Sequence, residues 1–435
     1  MNRQQLSQRY QRVRSRTEAL CEPLEIEDYV VQSMPDASPA RWHLAHTTWF
    51  FETFLLRPFR PAVPPREPQY RVLFNSYYNG VGPQFPRDRR GTQSRPTVRT
   101  VRAWRRDIDE QMLGLIETEP DIARLAPLLA VGLNHEEQHQ ELLLTDLKHA
   151  LCTNPMRPTY RAAEHPAPGT RAPGWADFEG GMVRAGFRAG DNGEGADENA
   201  GGEGFHFDNE GPAHDLWLPP YQLGRELVSR GEYLAFIEDG GYQRPELWLS
   251  DGWAAAQTAG WSAPLYWVQE EGRWQELTLA GPKPLVLDAP VCHVSLFEAD
   301  AYARWAGARL PTEFEWEAAA RLAAPSRDGS LLEHGLEDGA HHPVGREAPT
   351  HGGLRHLLGE VWEWTVSAYL PYPGYRAPDG AIGEYNGKFM NAQRVLRGAS
   401  CATARGHARL SYRNFFQSDK RWQFTGIRLA RHGSE

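Results

Sequence analysis

Trp42, Ala45, Trp49 and Phe50 recur at helical spacing in the stretch DASPARWHLAHTTWFFETFLL. An apolar stripe at this period marks a helix with one face toward a core. Ser38 is a suitable N-cap for it and Pro39 a suitable first residue, because the N–H that proline lacks would be unbonded there. Residues 3–21 hold helix formers with few Gly or Pro, and further helices are predicted over 97–117 and 120–152. Together these predict an antiparallel four-helix bundle over residues 1–152, with one long connection over 57–96. Connections of that length in compact domains carry function or are disordered. This one contains LFNSYYNGVGPQFPRDRRG, too aromatic for disordered filler. Pro and Gly dominate 153–175, which reads as a linker. Beyond it, over 176–435, the pattern changes to short apolar alternations rich in Gly and Trp. Short helices are predicted at 228–238 and 295–306, and a third opens at PTEFEWEAAARLA with Thr312 and Glu315 as a capping box. The C-terminal region is therefore an irregular α+β domain.

A length of 435 residues exceeds one ordinary core, so two or three domains are expected. The net charge of −9 shows no basic excess of the kind that clamps nucleic acid, and small-molecule chemistry is expected instead. Cys21, Cys152, Cys292 and Cys401 form no metal or redox spacing, which fits a reducing, cytoplasmic setting. The Arg-rich first 20 residues have no apolar segment typical of a secretory signal and read as a solvated amphipathic helix. No apolar run of about 18 residues predicts a membrane span.

The chemistry concentrates in GLNHEEQHQELLLTD. His135 and His139 are four residues apart, so a helix sets both on one face about 6 Å apart. Leu128, Val131 and Leu142 fall on roughly that face, which is expected to be buried. Two buried neutral imidazoles on one face invite a shared cation. Glu141 lies about 200° round the helix from His139 and is a poor third ligand. HEEQH also matches the zinc-protease pattern, with Glu136 as base. A third ligand is available upstream in WHLAH, from His43 or His46. Imidazoles suit Zn, Fe, Cu and Ni alike, so these residues leave the metal open.

Several further segments carry a resemblance. WHLAHTTWFFETF, LFNSYYNGVGP, HEEQHQELLLTDLKHAL, FDNEGP, RLPTEFEWEAAAR, GEVWEWT and VLRGASCATARGHARLSYRNFFQSDKRWQFTGIRLAR resemble, in order and over nearly the whole chain, the ergothioneine sulfoxide synthases. That family joins a DinB-like helical bundle to a domain of the formylglycine-generating-enzyme type, with a C-type-lectin-like fold. The resemblance implies a non-heme Fe(II) enzyme that uses O2 to join the imidazole C2 of hercynine to the sulfur of cysteine or γ-glutamylcysteine as a sulfoxide. It implies His46, His135 and His139 as iron ligands, with His43 in a supporting role and Glu136 a bystander. Gln138 then contacts the imidazole substrate. By the same resemblance Tyr77 and Tyr78 are expected beside the iron, where a phenol can give up a proton, and Arg87 and Arg90 are expected to take the carboxylate of the thiol substrate. Asn414, Phe415 and Phe416 line the pocket for hercynine, whose trimethylammonium suits aromatic faces; the site is expected between the domains.

Some members of that family have Trp-Asp where this chain has Phe415-Phe416, which opens the identity of the donor. Selenoneine synthases, which join hercynine to a selenosugar, resemble the same scaffold. Two other classes stand as alternatives: a DinB-like zinc hydrolase or thiol transferase using the same histidines, and a lectin-like binding module. Formylglycine-generating activity itself is not expected. It needs a reactive cysteine pair near the C-terminus, and Ser411-Tyr412 follow a lone Cys401 here. Ordinary packing accounts for most of the 15 tryptophans.

Overall fold

A computed structural model describes residues 2–164, 166–188, 205–323 and 332–433. It divides into two compact units, the first made of Met1–Arg161, Gly195–Asp208 and Arg376–Lys388. The second holds Ala162–Glu194, Asn209–Tyr375 and Phe389–Glu435.

The first unit is helical. Helix α1 (Arg3–Cys21) opens on a capping box between Asn2 and Gln5, and α2 spans Ala40–Phe50. A π-helical turn (Phe51–Leu56) continues α2, followed by the short helices α3 (Arg57–Phe59) and α4 (Tyr70–Leu73). Helix α5 (Val98–Thr118) is capped by Thr97, and α6 (Ile122–Thr153) by Asp121. Helices α1 and α2 each pack on both α5 and α6, the four-helix arrangement predicted. Leu6, Tyr10, Trp49, Trp104, Met112, Leu129 and Leu133 are among its buried residues. Gly132 lets α6 approach the end of α2, since a Cβ there would lie 2.8 Å from Phe51 Cε1.

Two local expectations are corrected. Ser38 does not cap α2: Pro39 is the N-cap and no side chain caps this helix. The Ser38 N–H instead donates to Asp146 Oδ2 (2.8 Å) and its Oγ accepts from Arg90 (2.9 Å). Nor is α1 a simply solvated helix, since Arg9 and Arg14 are buried on it. Arg14 pairs with Asp109 (2.6 Å) and Glu136 (2.7 Å). Helical periodicity shows which positions share a face, but not that a buried arginine has carboxylates waiting across the bundle.

The second unit is α+β. Its main sheet has the order β12 (Asn414–Gln417), β11 (Gln393–Gly398), β10 (Trp362–Ala368) and β13 (Thr425–Gly426). Smaller sheets surround it, and α7 (Arg230–Glu238), α9 (Leu296–Trp305) and α10 (Glu313–Ala323) lie where short helices were predicted. Thr312 and Glu315 form the expected capping box, with N–H to side-chain distances of 2.8 and 3.1 Å. Helix α8 (Ser250–Ala259) was not foreseen. Trp316, Trp362 and Trp364 are buried, in line with a packing role for most tryptophans.

Candidate metal centre

His46 on α2 and His135 and His139 on α6 converge, with one ligand atom from each lying within 4.8 Å of the others. The pairing follows from helix geometry: His135 and His139 are one turn apart, and α2 packs across α6 at that turn. His46 Nε2 lies 3.1 Å from His135 Nε2. His46 Nδ1 donates to the Phe74 carbonyl (2.6 Å), which fixes its tautomer and leaves the lone pair on Nε2. Burial, as the largest effect, pushes all three histidines well below the ordinary value of 6.5, and neighbouring histidines push the same way. Three neutral imidazoles facing one point, with no carboxylate among them, fit a divalent transition metal and leave further coordination positions for substrates.

The walls are aromatic. Trp42 stacks on His46 (4.5 Å between centroids) and Phe50 on His135 (4.3 Å). Here another expectation fails: Leu128, Val131 and Leu142 are only half-buried. From Gly132 to Gln140 nearly every residue of α6 is buried, polar ones included, because α2 covers the histidine face while α1 covers the opposite side, where Arg105 reaches in from α5.

Glu136 belongs to that opposite side. It is fully buried, accepts from Arg14 Nη1 (2.7 Å) and Thr17 Oγ1 (2.6 Å), and is also bonded by Arg105. Although burial raises its pKa, Arg105 and Arg14 bring it below the ordinary carboxylate value. A carboxylate saturated by two guanidiniums is no base for a metal-bound water, and the zinc-protease reading of HEEQH fails on this point.

The two arginines differ. Arg87 is exposed and donates to the Asp36 carbonyl. Arg90 is buried, and its guanidinium lies 3.5 Å from the centroid of the Trp42 ring that stacks on His46. Arg87 and Arg90 both disfavour protonation of His139. Tyr78 is fully buried, and its hydroxyl lies 3.4 Å from that of Tyr77. Burial raises the pKa of both phenols.

One residue was missed. Tyr385, from the returning Arg376–Lys388 segment, presents its ring edge-to-face to His135 (5.7 Å between centroids) and its hydroxyl to Gln138 Oε1. Phe207 stacks on its other side (5.2 Å). The same segment clasps the tyrosine loop: Glu384 accepts from the Asn79 and Gly80 N–H groups (3.0 and 2.6 Å), and Lys388 donates to the Tyr77 carbonyl. The signal available was EYNGKF itself, an aromatic and charged stretch inside a Gly-rich region.

The DinB superfamily profile matches residues 9–143, and the sulfatase-modifying factor enzyme 1-like domain profile matches 168–433. The hercynine oxygenase of Mycolicibacterium smegmatis is 34% identical over 424 residues, covering 92% of each chain. That of Mycobacterium tuberculosis is 31% identical over 448 residues, covering 98% of each. The chain belongs to the hercynine oxygenase family. A formylglycine-generating enzyme of Streptomyces coelicolor is 32% identical over 250 residues, covering 48% of this chain.

Within this hercynine oxygenase family member, Asn414, Phe415 and Phe416 lie on β12 of the second unit, opposite Leu396, Val395 and Arg394 of β11. Phe415 stacks on Tyr369 (4.1 Å), and Phe416 meets Trp422 edge-on (6.0 Å). All three are half-buried, which leaves part of each face open.

Proposed function

We propose that this protein binds Fe(II) at His46, His135 and His139 and uses O2 to join hercynine to cysteine or γ-glutamylcysteine. The net change removes one hydrogen from the imidazole C2 and one from the thiol. It forms a C–S bond and delivers one oxygen atom to sulfur and the other to water. The observation that carries this reading is the convergence of three neutral imidazoles in a chain whose full-length relatives are hercynine oxygenases. Fe(II), when bound, supplies O2 activation and a site for the thiolate.

The chain's own residues supply orientation and protons. Arg90, buried and stacked, is suited to hold the donor's carboxylate, with the exposed Arg87 adding positive charge. Gln138, its carbonyl oxygen engaged by Tyr385, is suited to contact the substrate imidazole. Tyr385, Tyr77 and Tyr78 are phenols suited to give a proton to reduced oxygen. Asn414, Phe415 and Phe416 would receive the trimethylammonium group of hercynine. A selenosugar donor draws no support from the relatives. A cytoplasmic setting is part of this proposal; among the described residues no helix is long and apolar enough to cross a membrane.

The test is product mass after incubating the Fe(II)-loaded protein with hercynine, O2 and each donor in turn. A hercynyl sulfoxide with cysteine or γ-glutamylcysteine supports the reading. Product only with a selenosugar would replace it.

A further inference from the structure

His139 is held differently from the other two histidines. His46 is fixed by a backbone carbonyl, whereas His139 Nδ1 faces a fourth imidazole: it lies 2.9 Å from His43 Nδ1. His43 Nε2 in turn lies 3.1 Å from Asp146 Oδ2, and the same oxygen accepts the Ser38 N–H at 2.8 Å. His43, His139 and Asp146 are all buried. The three residues therefore form a buried chain from α6, through α2, and back to α6.

Donor and acceptor counting gives this chain a direction. An ionised carboxylate only accepts, so His43 Nε2 carries a hydrogen toward Asp146. The contact between the two Nδ1 atoms needs one donor and one acceptor. If His43 is neutral, its Nδ1 holds the lone pair and His139 Nδ1 must donate. That assignment leaves the lone pair of His139 on Nε2, the nitrogen available to a metal. The reverse assignment would place a hydrogen there and abolish ligation.

We propose that His43 and Asp146 form a positioning relay for His139, fixing the tautomer and ring orientation of a metal ligand that neither of them shares. Helix α2 then has two tasks three residues apart: His46 is a ligand, and His43 aligns another ligand on the facing helix. Asp146 is aligned in its turn by the Ser38 backbone, so the entry of α2 is tied to the same chain. Partners of this kind behind a ligating histidine affect metal affinity by about 10–100-fold. The inference rests on the metal-site reading above but not on which thiol is the donor.

The experiment is an anaerobic titration of the metal-free protein with Co(II), read by its d–d absorption and by competition with a chelator. Circular dichroism and thermal midpoints serve as folding controls. His43→Leu and Asp146→Asn are each expected to weaken Co(II) binding about 10-fold or more. They are expected to shift the d–d bands, and His43→Asn, which restores an acceptor, to recover part of the loss. Because both act through one chain, the double variant His43→Leu/Asp146→Asn should bind no worse than His43→Leu alone. Affinities within about twofold of the parent in both single variants, or losses that simply add, would overturn the relay. Should His43→Leu fail to fold, Asp146→Asn decides the matter. His135→Ala separates this outcome from failure of the underlying reading. If it keeps parental affinity, there is no three-histidine site; if it loses binding while His43→Leu and Asp146→Asn do not, only the relay is wrong.

Discussion

Tyr385 gives its hydroxyl hydrogen to Gln138 Oε1, joining two residues separated by 247 positions in sequence. The contact puts a phenol from the C-terminal half of the chain against the helix that carries His135 and His139. It orients the Gln138 amide and holds the Tyr385 ring edge-on to His135.

Tyr385→Phe should therefore retain the metal while losing coupled product. A positioned proton donor is worth about 100-fold or more in rate, and a loss of that order in C–S product, with thiol oxidation continuing, is expected. Tyr77→Phe and Tyr78→Phe are to be measured beside it. Metal content and product yield in the three variants, taken together, assign the proton donor. Unchanged yield in all three and in their combination would remove phenols from the mechanism.

The clasp on the tyrosine loop makes a separate prediction. Glu384 holds the Asn79 and Gly80 N–H groups and pairs with Lys388 (2.7 Å). Glu384→Ala leaves those groups without their acceptor and should loosen the loop without touching the histidines. Increased hydrogen exchange over residues 75–82, with Co(II) affinity unchanged, is the expected result.

Glu136 should matter for folding and not for chemistry. It is buried between Arg14 and Arg105, and leaving such an arginine without its carboxylate costs about 3–5 kcal/mol. Glu136→Leu should lower the thermal midpoint strongly. Glu136→Gln, if it folds, should keep its metal and its product, an outcome that a zinc hydrolase using Glu136 as base would not give.

The second unit carries a pH dependence of its own. Burial raises Glu333 from the ordinary 4.5 to about 8. Between those values the folded chain holds a proton that the unfolded chain has released, so stability falls as pH rises. This contribution is complete below pH 4.5 and gone above about 8, with a slope of at most about 1.4 kcal/mol per pH unit in between. Glu333→Gln should flatten that part of the profile, as measured by denaturant unfolding at a series of pH values.

Much of this was legible in the chain, and unevenly so. Helix positions followed from spacing and caps, and the shared face of His135 and His139 followed from a four-residue interval. What spacing could not show was how a face is covered. The histidine face is closed by Trp42 and Phe50 from another helix, whereas the leucines expected to bury it are half-exposed. Glu136 sits one residue from a candidate ligand and points into an arginine pair instead. Tyr385 was missed for a topological reason: EYNGKF stands out locally as aromatic and charged, but nothing local shows that the stretch returns to an earlier unit. Ser38 likewise gave up its predicted cap because Asp146 and Arg90, remote in sequence, offered its N–H and hydroxyl other partners.

The central claim is that three histidines make this chain an O2-using enzyme of hercynine. Reconstitute the protein with Fe(II) without air, add hercynine and γ-glutamylcysteine or cysteine, admit O2, and follow oxygen uptake together with product mass. One O2 consumed per hercynyl sulfoxide formed, and neither in His135→Ala, is the predicted result. Tightly held zinc with no oxygen uptake would contradict it.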